Sequence, residues 1–331
     1  MKFDQIYYEP DSLNFELGKR LKDKYKDNVW IPIENHNRIE EMQKKSNADF
    51  PKMKRNLIIG TRKTHKYNAN QKISDFLVPY TSSGCTAMCL YCYLVCNYNK
   101  CAYLRLFMNR EQMLDKLIRT ANKSEEALTF EIGSNSDLIL ENTITDNLVW
   151  TIENFSKSPK GTITFPTKFD MVDPLLSLNH NGKVIFRMSV NPEEIIRRIE
   201  IGTSSLEKRI EAINKMCEAG YKVGILIAPI IPYGNWKEQY SNLLTQLSDL
   251  LTEKAKKQLF IECIFMTYSY VHRAINAEAF PNAPDLYQPE QMMGRGMGKY
   301  CFRPSVREEG TAFLEEEIHK KLQDATIVYF S

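Results

Sequence analysis

Three cysteines in the run Gly84-Cys85-Thr86-Ala87-Met88-Cys89-Leu90-Tyr91-Cys92 are spaced C-x3-C-x2-C. That spacing can bring three thiolates to three corners of a cubane [4Fe–4S] cluster, leaving one iron open for chemistry. Other uses of cysteine fit less well. A structural zinc site takes four ligands, usually as two separated pairs; Cys96 completes C-x3-C-x2-C-x3-C, but four thiolates in so short a run do not match paired knuckles. A ferredoxin-like electron-transfer cluster also takes four cysteines, and such domains are far shorter than this chain. The chain opens Met1-Lys2-Phe3-Asp4-Gln5, which begins no signal peptide, and Cys101, Cys217, Cys263 and Cys301 are scattered. The expectation is therefore reduced thiols in a reducing, cytoplasmic compartment rather than disulfides.

The chain that must position this run has 331 residues, 43% hydrophobic and 26% charged, enough for a large core in one or two domains. No apolar run approaches the length of a membrane span. A net charge of +3 does not by itself announce a nucleic-acid binder, but the charge is unevenly placed. Lys52, Lys54, Arg55, Arg62, Lys63, Lys66 and Lys72 fall between Pro51 and Ser74 with no carboxylate among them. Such a run reads either as a solvated basic face or as a phosphate-contacting surface.

Short β-rich runs recur at Phe76–Tyr80, Ala127–Ile132, Thr162–Phe165, Val184–Val190, Val223–Ala228 and Leu259–Met266, with helical patterns such as Arg110–Asn122 and Ser205–Ala219 between them. Parallel strands need crossover helices, so the simplest account is an α/β fold, a partial (β/α)6 TIM-like barrel over residues 76–270. Ligands of such barrels sit at the C-terminal ends of the strands, and the cysteine run directly follows the first predicted strand. Residues 1–75 read as an N-terminal helical and basic layer, with helices around Leu13–Lys26 and Asn37–Lys45. Residues 271–331 read as a C-terminal extension with a helix near Thr311–Leu322 and a last strand at Ile327–Phe330.

An aromatic residue just before the third cysteine, here Tyr91, makes the segment similar to the radical S-adenosylmethionine (AdoMet) enzymes. The flanks narrow this. Thr81-Ser82-Ser83-Gly84-Cys85, Tyr91-Cys92-Tyr93-Leu94, Tyr103-Leu104-Arg105, Phe130-Glu131 with Ser136-Asp137, Thr167-Lys168-Phe169-Asp170, Ser189-Val190-Asn191, Gly202-Thr203-Ser204, Ala228-Pro229-Ile230 and Gly298-Lys299-Tyr300 resemble the spore photoproduct lyases, DNA-repair members of that class.

The resemblance implies a carbon–carbon lyase that reverts spore photoproduct, a methylene-linked thymine dimer of UV-damaged DNA, through a 5′-deoxyadenosyl radical. It implies a [4Fe–4S] cluster on Cys85, Cys89 and Cys92, bound AdoMet, and an electron donor such as flavodoxin or ferredoxin. It further implies a monomer in the spore or germinating cell. Ser136, Lys168 and Ser189 stand where the family contacts the carboxylate, amino group or ribose of the cofactor, and Ala228 where backbone meets adenine. Tyr91 and Tyr93 match two tyrosines of a radical relay, and Tyr93 is also a candidate ribose contact. A radical AdoMet enzyme acting on another nucleotide or small molecule is the alternative.

Two departures stand out. The family carries a hydrogen-donating cysteine between the Phe-Glu and Ser-Asp landmarks, whereas here that position is Ser134, whose O–H bond is too strong to substitute. The preferred replacement donor is Cys96, one helical turn past Cys92, with Cys101 as the alternative. The DNA-contacting hairpin reads Gly294-Arg295-Gly296-Met297-Gly298-Lys299-Tyr300, without the family's inserted aromatic. Arg295, Lys299 and Tyr300, with Lys63 of the basic run, are the candidate DNA contacts, and Met297 could fill the gap left by an extruded base.

Overall fold

The computed structural model describes residues 1–98 and 103–331, without the side chains of 96–98. The chain forms two compact units that do not follow sequence order: Met1–Thr86, Tyr98–Thr167 and Asp173–Val184 make the first; Ala87–Asn97, Lys168–Val172 and Ile185–Ser331 the second.

The first unit has two sheets. One runs Val29–Pro32, Gln5–Tyr8, Leu57–Gly60, Arg105–Phe107, Ser82–Ser83, parallel except for the last pair. Every residue of Leu57–Gly60 is buried, the continuous apolar signature of a strand covered on both faces. Ile6, Leu17, Leu21, Leu57, Leu104 and Met108 share its core. The helices expected near the N-terminus form over Glu16–Lys24 and Glu40–Gln43. Residues 1–75 are nonetheless a mixed α/β layer rather than a helical one, because the four-residue strands there are too short to show a period.

The other sheet pairs Asn68–Ala69 antiparallel with Phe76–Leu77, followed in parallel by Thr129–Glu131 and Thr162–Thr167. The strand expected over Phe76–Tyr80 ends at Leu77. Val78 N still donates to Glu131 O, but Pro79 has no N–H to continue the ladder. The chain then crosses to the first sheet, where Ser82–Ser83 pairs with Arg105–Phe107. The cysteine run is thus launched from this two-residue strand, not directly from Phe76–Leu77 as the sequence suggested.

The second unit has four parallel strands, Val184–Val190 (from Ile185), Lys222–Ile230, Phe260–Phe265 and Thr326–Phe330, adjacent in that order. Helices Leu206–Glu218 and Trp236–Leu250 make crossovers between them. Leu206–Glu218 buries Leu206, Ile210, Ile213 and Cys217 at helical spacing, the stripe that a helix lays on a sheet. Strands Thr267–Ser269, Lys299–Phe302 and Met292–Gly296 form a small antiparallel sheet that contains the expected hairpin. The C-terminal helix is longer than its periodicity predicted, Pro304–Lys321, because proline is well placed in a first turn. Among the described residues no helix is long and apolar enough to cross a membrane.

Arg187, 1% exposed in mid-strand, meets Glu262 Oε1 at 2.8 Å, and Tyr329 donates to the other oxygen at 2.6 Å. Removing one partner strands the other charge in the core, so Glu262→Ala should cost about 3–5 kcal/mol in chemical denaturation. The double change Arg187→Met with Glu262→Leu should recover much of that loss; no recovery would show that the pair itself, not the stranded charge, sets the cost.

Candidate active site

From Ala87 onward the cysteine run lies along Ile199–Ile201. Met88 N donates to Ile201 O at 2.8 Å and Leu90 N to Ile199 O at 2.9 Å, while Asn276 Nδ2 donates to Leu90 O at 2.7 Å. Cys92 N bonds to Cys89 O at 3.1 Å, and the helix Tyr93–Tyr98 begins immediately after. Cys89 is buried, Cys85 and Cys92 are half-buried, and none of the three is in a disulfide.

Glu200 sits between Ile199 and Ile201, 1% exposed. Its Oε1 accepts from the Tyr91 hydroxyl and from Asn191 Nδ2 at 2.9 Å, and faces Lys168 Nζ at 3.2 Å. Its Oε2 faces Arg209 Nη2 at 2.6 Å. Arg209, on the helix Leu206–Glu218, also donates to Ser204 O at 2.9 Å, Ser189 O at 3.0 Å and Thr203 Oγ1 at 2.6 Å. Burial alone would push the Glu200 carboxyl up, but the charges of Lys168 and Arg209, with the Tyr91 and Asn191 hydrogen bonds, outweigh it and hold the group down at about 2. Burial, reinforced by the Glu200 charge, drives the Tyr91 phenol well above its ordinary value.

Water reaches this cluster through Lys168, whose side chain is 20% exposed while those of Glu200 and Arg209 are fully buried. Lys168 Nζ donates to Ser189 Oγ and to Ala228 O at 2.9 Å, and lies 5.7 Å from the centre of the Tyr91 ring. Ser189 Oγ itself donates to Ala228 O at 2.9 Å. Three residues marked by the sequence, Lys168, Ser189 and Ala228, are therefore gathered at one point. Two cations against one carboxylate leave a net positive charge exposed only at Lys168, which suits a carboxylate ligand. Asp170 accepts from Ser204 Oγ and so belongs to a separate contact.

Cys85 and Ser136 belong to the first unit. Gly84, at φ +78°, is bridged to Ser136, and its N–H donates to Asn135 O at 2.8 Å. Ser134 lies half-buried in the turn just before. Lys54 donates to Cys85 O at 2.5 Å and is only 2% exposed, so this member of the basic run does not face solvent. Arg55 pairs with Asp4 at 2.7 Å, and Arg62 lies 3.9 Å over the Phe107 ring. The phosphate-facing reading does not hold for Lys54, because its charge is turned inward; Lys63 is exposed.

Tyr93 is exposed at the start of its helix, whereas Tyr91 is buried. The Cys96 side chain and the whole of Cys101 lie outside the described residues. In the hairpin, Met297 is 96% exposed at φ +51°, flanked by Gly296 and Gly298 also at positive φ, as a tight turn requires. Arg295 Nη1 donates to Thr267 Oγ1 at 3.3 Å, and Tyr300 packs on Tyr287 with ring centres 4.6 Å apart.

The residues fit the groups their types suggest. Three thiols lie on one run, and its backbone from Met88 to Leu90 is pinned along Ile199–Ile201. Among the described residues no three His, Cys, Asp or Glu side chains converge on one point as the ligands of a single ion do. Thiolates capping separate irons of a cubane stand farther apart and need no such convergence. A cysteine run tied to a cationic, serine-lined strand end in a parallel α/β chain marks the radical AdoMet class.

The family profile described as spore photoproduct lyase matches residues 1–331. The chain is 32% identical to the spore photoproduct lyase of Bacillus subtilis (strain 168), over 98% of this chain and 97% of that one. It is 29% identical to that of a Geobacillus species, over 98% of each. A solved spore photoproduct lyase variant with bound AdoMet and dinucleoside spore photoproduct aligns at a TM-score of 0.92 and 27% identity, covering 99% of both chains. Another, complexed with dinucleoside spore photoproduct, gives 0.91 over 99% of both. The chain belongs to the spore photoproduct lyase family, and its fold is the partial TIM-like barrel of those structures.

The sequence reading missed Glu200 and Arg209. Glu200 did carry a signal, a lone carboxylate between two isoleucines, and Arg209 another, a cation on the apolar stripe of its helix. Glu200 also makes a pH prediction. Its folded value of about 2 lies below the ordinary 4.5, so its contribution to stability is complete above 4.5 and is lost as pH falls towards 2. Glu200→Gln should be less stable at pH 7 and should lose stability less steeply over that acid window in scanning calorimetry. An unchanged acid limb would place the titrating carboxylate elsewhere.

Proposed function

We propose that this chain is a radical AdoMet lyase that repairs spore photoproduct, 5-thyminyl-5,6-dihydrothymine, to two thymines in UV-damaged DNA. The observation that carries this is the full-length family match together with the cationic Lys168–Ser189–Ala228 cluster, tied through Glu200 to the cysteine run. When bound, a [4Fe–4S] cluster with AdoMet supplies one-electron cleavage of the sulfonium, which starts the reaction.

The residues of the chain bind, orient and exclude water. Cys85, Cys89 and Cys92 hold three irons. Lys168 takes the cofactor's carboxylate, which must exchange for its contact with Ser189 or Ala228. Ser136 and Ser189 meet the amino group and ribose, and the Ala228 backbone meets adenine. Tyr93, exposed where Tyr91 is not, is the better placed of the two to exchange hydrogen with a substrate-derived radical. Lys63, Arg295, Lys299 and Tyr300 contact DNA, with Met297 at the hairpin tip as the wedge. The protein acts as a monomer in the cytoplasm of the spore or germinating cell, reduced by a flavodoxin or ferredoxin.

Anaerobic incubation with dinucleoside spore photoproduct, AdoMet and dithionite should restore its two thymidines. Formation of 5′-deoxyadenosine without thymidine would favour the second reading, a different nucleotide or small-molecule substrate, for which Ser134 is the motivating residue. Cys85→Ala should lose iron and AdoMet cleavage together. Cys217→Ala and Cys263→Ala should keep both, since Cys217 is fully buried and burial pushes the Cys263 thiol up to about 12. Retention of a full cluster by Cys85→Ala would overturn the ligand set.

Cys96→Ala should still cleave AdoMet but divert the substrate radical to adducts. Clean repair at the parental rate would remove Cys96 as the hydrogen donor and turn the test to Cys101. Binding to lesion DNA should weaken as salt rises, and neutralising Lys63 or Arg295 should lower the log–log slope by about one unit each. An unchanged slope would return those residues to ordinary surface charge.

A further inference from the structure

Glu141 is 1% exposed inside the first unit, and nothing in the reaction outlined above uses it. Four side chains aim at its carboxyl group. Asn147 Nδ2 at 2.6 Å and Thr145 Oγ1 at 3.4 Å approach Oε1; Thr81 Oγ1 at 3.0 Å and Ser82 Oγ at 2.5 Å approach Oε2. Ser82 Oγ is also placed to donate to Ser136 Oγ, at 2.7 Å. A serine hydroxyl has one proton, so only one of the two Ser82 contacts can use it. Arg110 Nη1 donates to Asn147 Oδ1 at 2.9 Å, which fixes that amide with its nitrogen towards Glu141.

We propose that Glu141 is a positioning residue that sets the polarity of Ser136. As a carboxylate it takes the proton of Ser82, Ser82 then takes the proton of Ser136, and Ser136 presents only lone pairs to its ligand. This rests on the reading of Ser136 as an AdoMet contact and narrows it: Ser136 accepts from the cofactor's ammonium or a ribose hydroxyl and does not donate to its carboxylate. Ser82 lies two residues before Gly84, which is itself bridged to Ser136, so the hydroxyl chain runs beside the stem of the cysteine run.

An isosteric change reverses the chain of protons. In Glu141→Gln, the Asn147 nitrogen and Thr145 hydroxyl keep the amide oxygen on their side, and the amide nitrogen faces Thr81 and Ser82. Ser82 then accepts from Gln, donates to Ser136, and the Ser136 proton turns outward. Against the ammonium a donor then meets a donor, and a ribose hydroxyl has to turn from donating to accepting.

The test is AdoMet affinity by anaerobic calorimetry on cluster-reconstituted protein, with iron content and melting temperature checked for each variant. Ser136→Ala should weaken binding, and Glu141→Gln should weaken it about tenfold or more. In a Ser82→Ala background, itself severalfold weaker than the parent, adding Glu141→Gln should change affinity by less than about twofold, because the link is already cut. Thr81→Val removes a donor to Glu141 off the Ser136 branch and should leave affinity unchanged. An equal loss from Glu141→Gln with and without Ser82 would overturn the proposal. Should Glu141→Gln fail to fold, equal affinities for Ser82→Ala and Thr81→Val would overturn it instead. If Ser136→Ala binds AdoMet as tightly as the parent, the reading of Ser136 has failed before Glu141 enters. With 5′-methylthioadenosine, which keeps the ribose hydroxyls and lacks the ammonium, a persisting Glu141→Gln penalty supports the hydroxyl as the donor and a vanished one supports the ammonium.

Discussion

One buried carboxylate organises the second unit. Glu200 has no access to water, so protein must offset its charge, and the four groups around it come from separate stretches of chain: hydrogen bonds from Tyr91 of the cysteine run and Asn191 after Val184–Val190, and the charges of Lys168 after Thr162–Thr167 and Arg209 on a crossover helix. A charge in a dry interior tolerates no slack in its partners, because each lost contact costs far more than the same contact at a surface. The spacing between cysteine run and strand ends follows from this requirement.

The same arithmetic gives the site its character. One carboxylate between two cations does not neutralise them, and the surplus appears at Lys168, the member that solvent reaches. The first unit solves a similar problem without a cation. Glu141 is surrounded by hydroxyls and an amide, and burial raises its carboxyl while the hydrogen bonds from Ser82, Asn147, Thr81 and Thr145 oppose the rise. Glu200 is thus met by charges and Glu141 by hydroxyls and an amide.

What the sequence revealed was whatever is local. Cys85, Cys89 and Cys92 are legible because three ligands on one short run announce themselves without a fold. The strand Val184–Val190 and the helices Arg110–Lys123 and Leu206–Glu218 were legible within a residue or so because an apolar run or stripe persists for their whole length. Lys168, Ser189 and Ala228 were reached through resemblance, and the structure shows the physical reason they belong together. The Tyr91–Glu200 contact joins residues 109 apart in sequence, so no window of sequence contains it. The N-terminal sheet stayed hidden because its parallel strands are short and one of them, Leu57–Gly60, pairs with Arg105–Phe107, whose register is a tertiary fact. Lys54 shows the opposite error: in a run of cations it reads as surface, yet its ammonium group is inside, on the carbonyl of Cys85.

The claim on which the account turns is that Glu200 couples the cysteine run to the Lys168 strand end as one body. Amide hydrogen exchange on Glu200→Gln measures this directly, since Met88 N and Leu90 N bond to Ile201 O and Ile199 O, and Ser204 N bonds to Lys168 O. The account predicts that exchange at Met88, Leu90 and Ser204 accelerates together in the variant by a common factor, while amides of the helix Arg110–Lys123, which belongs to the first unit, keep their parental rates. Acceleration confined to one of the two segments, or none, would contradict it.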